Sequence, residues 1–484
     1  MAKDGEGKKG HGLTVKKAED SSEWYTQVLD RAELIEYTDV SGCYVLRPRL
    51  YAMWEIAKEY FDKKIKASGV QNAYFPLFIP ESYLKKEAEH VEGFSPEVAW
   101  VTHSGDNEMA EKLAIRPTSE TIMYPSYKKW IRSWRDLPLR LNQWCNVVRW
   151  EFSHPVPLLR SREFLWQEGH TVFATREEAW KEVLEILDYY KDVFEDLYAI
   201  PVFKGTKTEK EKFAGADSTT SVEIFLPTGK AIQGATSHLL GQNFAKAFDI
   251  TYLDKDEKIQ HAWQNSWGFS TRSLGTMIMF HSDDKGLVLP PKISPNKIAI
   301  VPILFEKTKE IVLKKVNELG KQLKEFNPII DDREEFSPGY KFNEWEMKGV
   351  PIRLEIGPRD LENNQAILVR RDTGEKETVK LDDLKKEITL TLEAIQENLF
   401  KNAKKFIEEN TITTTSWDEL VQAIKDKKLV KTVWCGETEC EDWIKDKTGG
   451  AKILNIPFDQ PHIKDNCPQC GKEGKYEVYI AKSY

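Results

Sequence analysis

The sequence has no long hydrophobic run. No apolar stretch approaches the roughly 18 residues that a membrane-spanning helix requires. The opening residues, MAKDGEGKKGHG, contain no hydrophobic segment of the kind found in signal peptides. Both absences argue against a membrane or secreted protein, and we expect a cytoplasmic protein with no membrane partner. We also expect residues 1–20 to form a polar, disordered tail.

The chain also has no excess of positive charge. It contains 70 Lys and Arg residues against 78 Asp and Glu residues, a formal net charge of −8. No global attraction to nucleic acid follows from that charge, so any RNA partner must be held by local patches. With 40% hydrophobic and 31% charged residues the composition is that of a soluble globular protein. A chain of 484 residues is long enough for about three domains.

Cysteine is scarce, and its placement is informative. Cys43 and Cys145 are isolated and are expected to be ordinary core thiols. The other four form two pairs, with four residues inside the first, two inside the second and 26 between them: Cys435, Cys440, Cys467 and Cys470. Two such pairs can complete a tetrahedral zinc site, and four thiolates leave no open position for catalysis. Disulfides are the alternative, which a reducing compartment disfavours. We predict structural zinc.

Residues 147–170, VVRWEFSHPVPLLRSREFLWQEGH, predict a hairpin. Alternating Val, Phe and Trp residues favour two strands, and prolines keep the link between them out of a helix. Because residues two apart on a strand share a face, Arg149 and Glu151 should point the same way, as should Trp166 and Glu168. The alternative is an exposed ion pair worth at most about 1 kcal/mol. The functional interpretation is that these side chains form a binding site for an anionic ligand that contains a planar group.

The pattern of strands and helices predicts three domains. Residues 21–290 combine strands with helices such as Leu50–Ala67, without strict strand–helix alternation, which favours an antiparallel sheet with packed helices. After Pro290, strands alternate with helices, which predicts a small α/β domain with parallel pairing over residues 291–403. Residues 404–484 hold the paired cysteines and form the third domain.

Three further stretches in residues 21–290 carry polar groups in unusual combinations. They are RPTSE (116–120), QGATSH (233–238) and NSWGFSTRSLG (265–275). Each has a structural alternative: Ser119 lies where helix N-caps fall, QGATSH could be a turn, and Arg272 could be a surface charge. Together with the hairpin they make four such stretches on different strands of one domain, which favours a shared site.

These motifs resemble a known family. The hairpin and SWGFSTR are similar to motifs 2 and 3 of class II aminoacyl-tRNA synthetases, and the helix and strand ending YFPLFIP, with Pro76, resemble the dimer-forming motif 1. RPTSET, FLWQEGHT and QGATSH specifically resemble the prolyl-tRNA synthetases of the archaeal and eukaryotic cytoplasmic type, over residues 20–484. The resemblance implies a class II-like α+β catalytic domain with an antiparallel sheet. An α/β anticodon-binding domain and a small zinc-binding α+β domain would follow it.

The resemblance also implies an activity, ATP-dependent attachment of L-proline to tRNA(Pro) through a prolyl-adenylate, with Mg²⁺, structural Zn²⁺ and a homodimer. Arg149 and Arg272 would be catalytic, Arg149 on the α-phosphate and the substrate carboxylate and Arg272 on the γ-phosphate. The residues implied to bind proline are Thr118, Glu120, Arg149, Trp166, Glu168 and His238. Those implied to bind ATP are Arg149, Glu151, Arg160, Ser161, Gln233, Thr236, Ser270 and Arg272.

The α/β domain is similar to the anticodon-binding domain of several class II synthetases. Prolyl anticodons contain guanines, which a carboxylate together with Arg or Lys can read. We expect the readers to be among Glu344, Glu346, Arg353 and Glu355, although solvated surface charges are the alternative for most of them. The 63 positions from His170 to Gln233 leave no room for the editing domain of bacterial relatives, so no editing in cis is expected.

Two other functions were weighed. A non-catalytic synthetase paralogue acting as a tRNA-binding or regulatory protein should have lost its ATP-binding arginines, yet Arg149, Arg160 and Arg272 are all present. The second is a class II enzyme for a different amino acid, such as threonine or serine. Threonyl enzymes carry zinc in the catalytic domain with Cys and His ligands. The paired cysteines lie outside that domain.

Overall fold

The computed structural model describes residues 12–90 and 97–484, with side chains left out at 86–90. Residues 1–11, most of the expected disordered tail, lie outside the described residues. The helices up to residue 281 are α1 (Ser21–Arg31), α2 (Pro48–Ala67), α3 (Glu81–His90), α4 (Glu120–Trp130), α5 (Arg176–Asp192), α6 (Asn243–Phe248) and α7 (Arg272–His281). The strands of this part are β1 (Ile35–Tyr37), β2 (Tyr44–Leu46), β3 (Gln71–Asn72), β4 (Phe78–Pro80), β5 (Trp100–Ser104), β6 (Asn107–Ile115), β7 (Leu139–Val148), β8 (Glu163–Phe173), β9 (Phe203–Thr206), β10 (Ser218–Phe225), β11 (Lys230–Gly241), β12 (Thr251–Leu253), β13 (Ile259–His261) and β14 (Trp263–Ser270).

Six antiparallel strands form the centre of this domain, in the order β7-β8-β14-β11-β10-β9. The short strand β3 adds to the β7 edge in parallel. Aromatic and aliphatic side chains of α2, α5 and α7 pack with β14 in one buried core. The expected antiparallel sheet with packed helices is confirmed.

The hairpin is present, but its first strand is shorter than predicted. β7 ends at Val148, and residues 150–151 form a turn. The prediction that Arg149 and Glu151 share one strand face is therefore wrong, because the period-two geometry ends before them. Trp166 and Glu168 do lie on β8, and both line the same pocket.

Residues 298–409 form the α/β domain. Its elements are β15 (Ile298–Pro302), α8 (Lys309–Gln322), β16 (Ile329–Ile330), α9 (Pro338–Met347), β17 (Ile352–Ile356), α10 (Pro358–Glu362), β18 (Gln365–Arg370), β19 (Lys376–Lys380) and α11 (Leu384–Glu409). Strands β16, β15 and β17 are parallel, and β18 and β19 add an antiparallel hairpin. The predicted parallel pairing is thus present in the first three strands.

The C-terminal segment is joined to the central sheet. It contains β20 (Thr411–Thr413), α12 (Trp417–Lys425), β21 (Leu429–Trp434), α13 (Thr438–Lys447), β22 (Ala451–Ile453), β23 (Ile456–Pro457) and β24 (Tyr476–Ser483). β24 pairs with the first residues of β11, and β23 pairs with β9. α11 runs through the expected boundary at 403/404, so the third segment follows a continuous helix and shares the sheet of the first domain.

The segment before α1 is attached to the first domain, which differs from the expectation of a disordered tail up to residue 20. The Lys17 ammonium donates to the carbonyl oxygens of Phe280 (3.1 Å) and Ser282 (2.9 Å). Burial lowers the pKa of Lys17 to about 8, although Asp283 and Asp284 oppose that shift. None of the helices within residues 12–90 and 97–484 combines the length and apolarity needed to cross a membrane.

Gly169 provides a test of the sheet packing. Trp267 of β14 lies so close to Gly169 of β8 that a Cβ added there would be 2.1 Å from the indole ring. We expect Gly169→Ala to lower the free energy of unfolding by about 1–3 kcal/mol, because the ring must move within a filled core. Chemical denaturation measures the change. Gly339→Ala is the control, since no atom lies within 4 Å of the added Cβ; an equal loss in both variants would contradict this account.

Candidate active site

A pocket of about 250 Å³ lies on the central sheet. Strands β8, β11 and β14 provide most of its floor, and the loop between β7 and β8 provides a wall. The structure brings together eleven of the residues expected to bind proline or ATP: Thr118, Glu120, Arg149, Ser161, Trp166, Glu168, Gln233, Thr236, His238, Ser270 and Arg272. Four stretches that are far apart in the sequence therefore meet in one cavity.

Arg149 is positioned by a backbone contact and two rings. It follows the last residue of β7, and its Nε donates to the carbonyl oxygen of Pro117 (3.1 Å). Its guanidinium carbon lies 5.3 Å from the centroid of Trp166 and 5.6 Å from that of Phe164. Within residues 12–90 and 97–484 its two terminal nitrogens make no hydrogen bond, so they remain available to a ligand. Burial lowers the pKa of Arg149, an effect that Glu151 and Glu120 oppose.

Arg272 repeats this arrangement in the same pocket. It is the first residue of α7, and its Nε donates to the carbonyl oxygen of Leu159 (2.9 Å). Its terminal nitrogens, too, make no hydrogen bond in the described part of the chain. Burial lowers the pKa of Arg272 to about 10, and the positive charges of Arg149 and Arg160 add to the effect. The side chain therefore stays charged at neutral pH.

The acidic end of the pocket is held by a buried hydrogen-bond network. Glu168 accepts from the Ser119 backbone NH (3.1 Å), from the Ser119 hydroxyl, from Gln143 (3.0 Å) and from the His170 ring (3.1 Å). Ser119 lies at the predicted N-cap position of α4, but its hydroxyl binds Glu168 and does not cap the helix. Nearby, the Thr118 hydroxyl donates to Glu120.

The pKa shifts in this network follow from its contacts. Burial alone would raise the pKa of Glu168, but the hydrogen bonds from His170, Ser119 and Gln143 hold it below its usual value. Burial alone would lower the pKa of His170, but the negative charges of Glu120 and Glu168 raise it above its usual value. Burial lowers the pKa of His238 to about 3, so this ring is neutral and pairs with the Thr219 hydroxyl at 2.9 Å.

Two expected ATP residues lie outside this pocket. Glu151 is exposed in the turn after β7 and does not line the cavity. Arg160 lines an adjoining cavity, with its guanidinium 5.4 Å from the centroid of Phe152. The strand alternation that suggested a shared face does not extend to Glu151. The expected contact of Glu151 with ATP therefore requires a movement of the turn or a ligand that reaches beyond the pocket.

Several residues of the site are not among those expected from the sequence. Phe213 lies against His238 with ring centroids 4.8 Å apart, and Trp267 lines the pocket beside it. Trp267 lies inside the stretch 265–275, so an aromatic wall could have been found there. Phe213 lies in an irregular loop with no local pattern around it. His170 lies on the second hairpin strand, two residues after Glu168. Its hydrogen bond to Glu168 indicates that it holds this carboxylate in place.

The four paired cysteines meet at one point. Their sulfur atoms lie within 4.8 Å of one another, and three of the four residues are buried. The Sγ–Sγ distances are 3.5 Å for Cys435–Cys440 and 3.7 Å for Cys435–Cys470. A tetrahedral site with Zn–S bonds of about 2.3 Å requires sulfurs about 3.8 Å apart. All four are free thiols, so the donor set fits zinc and not disulfides.

The four expected anticodon residues fall into two groups. Glu344 pairs with Arg333 (2.6 Å) and Lys348 (2.8 Å), and Glu346 pairs with Lys285 of the first domain (3.1 Å). Arg353 and Glu355 are neighbours on β17 and pair with each other at 2.8 Å. The Arg353 guanidinium also stacks 4.4 Å from the centroid of Phe342. The second group combines a carboxylate, a cation and an aromatic ring.

The cysteine cluster gives a direct prediction. Cys467→Ser removes one thiolate, so we expect loss of bound zinc and a lower melting temperature of the C-terminal segment, because metal binding there stabilises folding. Elemental analysis and thermal denaturation measure the two effects. Cys43→Ser is the control, since Cys43 lies outside the cluster. Reduced wild-type protein that contains no metal would contradict the zinc assignment.

Comparison with known protein families covers the three parts of the chain separately. The tRNA synthetase class II core domain (G, H, P, S and T) matches residues 100–280. The anticodon binding domain matches residues 297–390. The prolyl-tRNA synthetase C-terminal domain matches residues 417–484 and includes the cysteine cluster. The order of the three agrees with the order of the domains expected from the sequence.

Relatives extend the match to nearly the whole chain. A proline--tRNA ligase of Alkaliphilus oremlandii is 53% identical over 467 residues, which are 96% of each chain. A cytoplasmic proline--tRNA ligase of Arabidopsis thaliana is 51% identical and covers 98% of this chain and 91% of its own. A putative proline--tRNA ligase of Saccharomyces cerevisiae is 48% identical, with 98% and 73% covered. Identity at this level over this length shows that the chain belongs to the proline--tRNA ligase family of class II aminoacyl-tRNA synthetases.

Proposed function

We propose that this chain attaches L-proline to tRNA(Pro) in an ATP-dependent reaction that passes through a prolyl-adenylate. One observation carries the proposal. Arg149 and Arg272 are each anchored through Nε to a backbone carbonyl, and their free terminal nitrogens face the same pocket. Two pre-positioned guanidinium groups in one cavity suit a substrate that carries a triphosphate and a carboxylate.

The first step is a displacement at phosphorus. An oxygen of the proline carboxylate bonds to the α-phosphorus of ATP. The bond from that phosphorus to the bridging oxygen breaks, and its electron pair leaves with pyrophosphate. Arg149 opposes the charge on the α-phosphate, and Arg272 opposes the charge on the leaving group. Mg²⁺ bound with ATP neutralises phosphate charge, and Gln233 and Thr236 provide pocket oxygens near that end.

The acidic end of the pocket suits the amino acid. Proline presents a secondary ammonium, for which Glu120, Thr118 and the neutral His238 offer acceptors. Trp166, with Phe213 and Trp267, supplies an apolar wall for the ring. The oxygens of Glu168 already accept from Ser119, Gln143 and His170, so Glu168 shapes the floor and adds negative charge that favours the bound ammonium.

The remaining parts of the chain suit tRNA binding. We assign guanine recognition to Arg353 and Glu355, because the adjacent Phe342 ring offers a surface on which a base can stack. Glu344 and Glu346 would contact the tRNA at the edge of this site. Between His170 and Gln233 the chain forms α5, β9 and β10, which complete the central sheet. No editing domain is inserted there, so we propose that editing does not occur in cis. We also place the activity in the cytoplasm, in line with the composition of the chain.

The two alternatives are less well supported. A non-catalytic paralogue would not need two arginines whose terminal nitrogens are unpaired in the described part of the chain. A synthetase for threonine would hold zinc in the pocket through Cys and His ligands, whereas the four clustered cysteines are residues 435–470 and the group in the pocket that could hold a metal, Glu120, Glu168 and His170, contains no cysteine.

A homodimer is proposed from the exposed apolar side chains near Pro76. Tyr74 is 72% exposed and Trp130 is 51% exposed. Trp130 contacts Phe75, so these rings lie in one region of the surface. Exposed aromatic side chains close to one segment of the chain mark a candidate interaction surface. A second copy of this chain fits it, because the region coincides with the element that resembles the dimer-forming motif.

The catalytic proposal is tested by ATP–pyrophosphate exchange measured with each of the twenty amino acids. We expect exchange with proline alone, and charging of tRNA(Pro) when the tRNA is added. Arg149→Ala should lower proline-dependent exchange about 10²- to 10³-fold, as removal of one charge-stabilising donor does. Arg162→Ala removes the same charge from the same loop, but Arg162 does not line the pocket and donates to the backbone carbonyls of Phe152 and Ser41. Near-normal exchange by folded Arg149→Ala protein would exclude the mechanism.

The dimer is tested by sedimentation velocity. Tyr74→Asp places a charge in the apolar region, so we expect a shift from dimer to monomer at micromolar concentration. Ile311→Asp is the matched control, because Ile311 is 66% exposed on α8 of the other domain. A wild-type monomer, or dissociation by both variants alike, would contradict the proposed interface.

A further inference from the structure

A second, larger cavity adjoins the pocket. Its volume is about 670 Å³, within the range of about 300–1,000 Å³ that is usual for ligand sites. The two cavities share four residues, Leu159, Glu211, Gln233 and Arg272. The proline-end residues Thr118, Glu120, Glu168 and His238 line only the first cavity, so the second one opens from the phosphate end.

The second cavity is rich in positive charge, although the whole chain carries a net charge of −8. Two of its lysines are neutralised: Lys207 pairs with Glu223 (3.0 Å) and Lys452 pairs with Glu211 (2.9 Å). Four further cations line it, namely Arg160, Lys230, Arg272 and Lys427. Within residues 12–90 and 97–484, none of these four forms an ion pair with a carboxylate.

Contacts between distant elements fix the rim of this cavity. Gly229, in the turn between β10 and β11, has φ +76°, and a Cβ there would be 2.3 Å from the Lys427 Cβ. Lys427 lies between α12 and β21 of the C-terminal segment. The backbone NH of Tyr484 donates to Ala231 (3.1 Å), and the Lys230 ammonium lies 4.6 Å from the centroid of the Tyr484 ring. Lys230 and Lys427 are therefore held at the same opening by different parts of the chain.

We propose that this cavity binds inorganic pyrophosphate as it leaves the pocket and guides it to solvent, with Lys230 and Lys427 as the outer cations. The proposal rests on the proposed function, because adenylate formation is what releases the pyrophosphate. Pyrophosphate would first be bound by Arg272, which lines both cavities. It would then move into the second cavity and contact Arg160, Lys230 and Lys427. Unpaired cations are the groups expected to hold an anion that carries several charges.

The 3′ end of tRNA is the less suitable occupant. Its terminal hydroxyl must attack the carbonyl carbon of the prolyl group, which lies at the Arg149 and Glu120 end. Neither of these two residues lines the second cavity. An RNA strand in that cavity would approach the phosphate end of the adenylate and not its carbonyl group.

The test combines two substitutions, Lys230→Ala and Lys427→Ala. Both side chains are exposed, and Ala keeps the Cβ of Lys427 that packs on Gly229, so the fold should be retained. We expect the KM for pyrophosphate in proline-dependent exchange to rise about fivefold, since two exposed charge contacts are lost. The KM values for proline and for tRNA should change less than twofold. Raising the salt concentration should reduce the difference from wild type.

The matched control is the double variant Lys404→Ala with Lys425→Ala. It removes the same charge from exposed positions that do not line the cavity, and it should leave the KM for pyrophosphate unchanged. Calorimetric titration of the wild-type and variant proteins with inorganic pyrophosphate alone gives the second readout, and the variant should bind about fivefold more weakly.

The outcomes separate the two proposals. An unchanged KM and unchanged affinity for pyrophosphate overturn the inference. So does a rise in the KM for tRNA alone, which would assign the cavity to RNA. A wild-type protein without proline-dependent exchange would overturn the proposed function, and the titration would then still decide whether the cavity binds pyrophosphate.

Discussion

Two guanidinium groups, those of Arg149 and Arg272, are enclosed on the central sheet, and in the described residues neither is paired with a carboxylate. Removing a charge from water without pairing it costs several kcal/mol, and the lowered pKa of both side chains reflects that cost. The surrounding structure keeps them there through carbonyl contacts at Pro117 and Leu159 and a large buried core of α2, α5, α7 and β14. An anionic substrate would pair with these charges and so offset part of the free-energy cost of removing them from water. Interactions of this kind lower the activation free energy when they are stronger in the transition state than with the bound substrate.

The same sheet connects the pocket to the C-terminal segment. β24 begins six residues after Cys470 and ends beside the first residues of β11, three positions before Gln233. Strand pairing, together with the Gly229–Lys427 contact, transmits the position of the cysteine cluster to one wall of the phosphate end. The cysteine cluster is therefore far from the pocket in sequence but connected to it through one sheet.

Much of the fold could be predicted because local pattern and tertiary structure agree. The spacing of buried residues between Leu50 and Ala67 indicates α2, and the alternation around Trp166 indicates β8. Local sequence patterns did not predict where some elements end. Alternation continues in the sequence to Glu151, but the strand stops at Val148. The segment around Lys17 looks like a polar tail, yet its ammonium is bound by carbonyls near residue 281, a contact that no local pattern records.

The sequence by itself determined the chemistry that is present: two arginines in separate motifs, several polar stretches that include Glu120 and Glu168, and four cysteines at metal-binding spacing. Only the tertiary structure decided which of these groups meet. It joined Gln143 to Glu168, brought Phe213 against His238, and left Glu151 outside the pocket. It also divided the anticodon candidates into two groups and placed Lys230 beside Lys427. The physical reason is that residue types and spacing fix local geometry, whereas contacts between distant segments depend on how strands pair and cores fill.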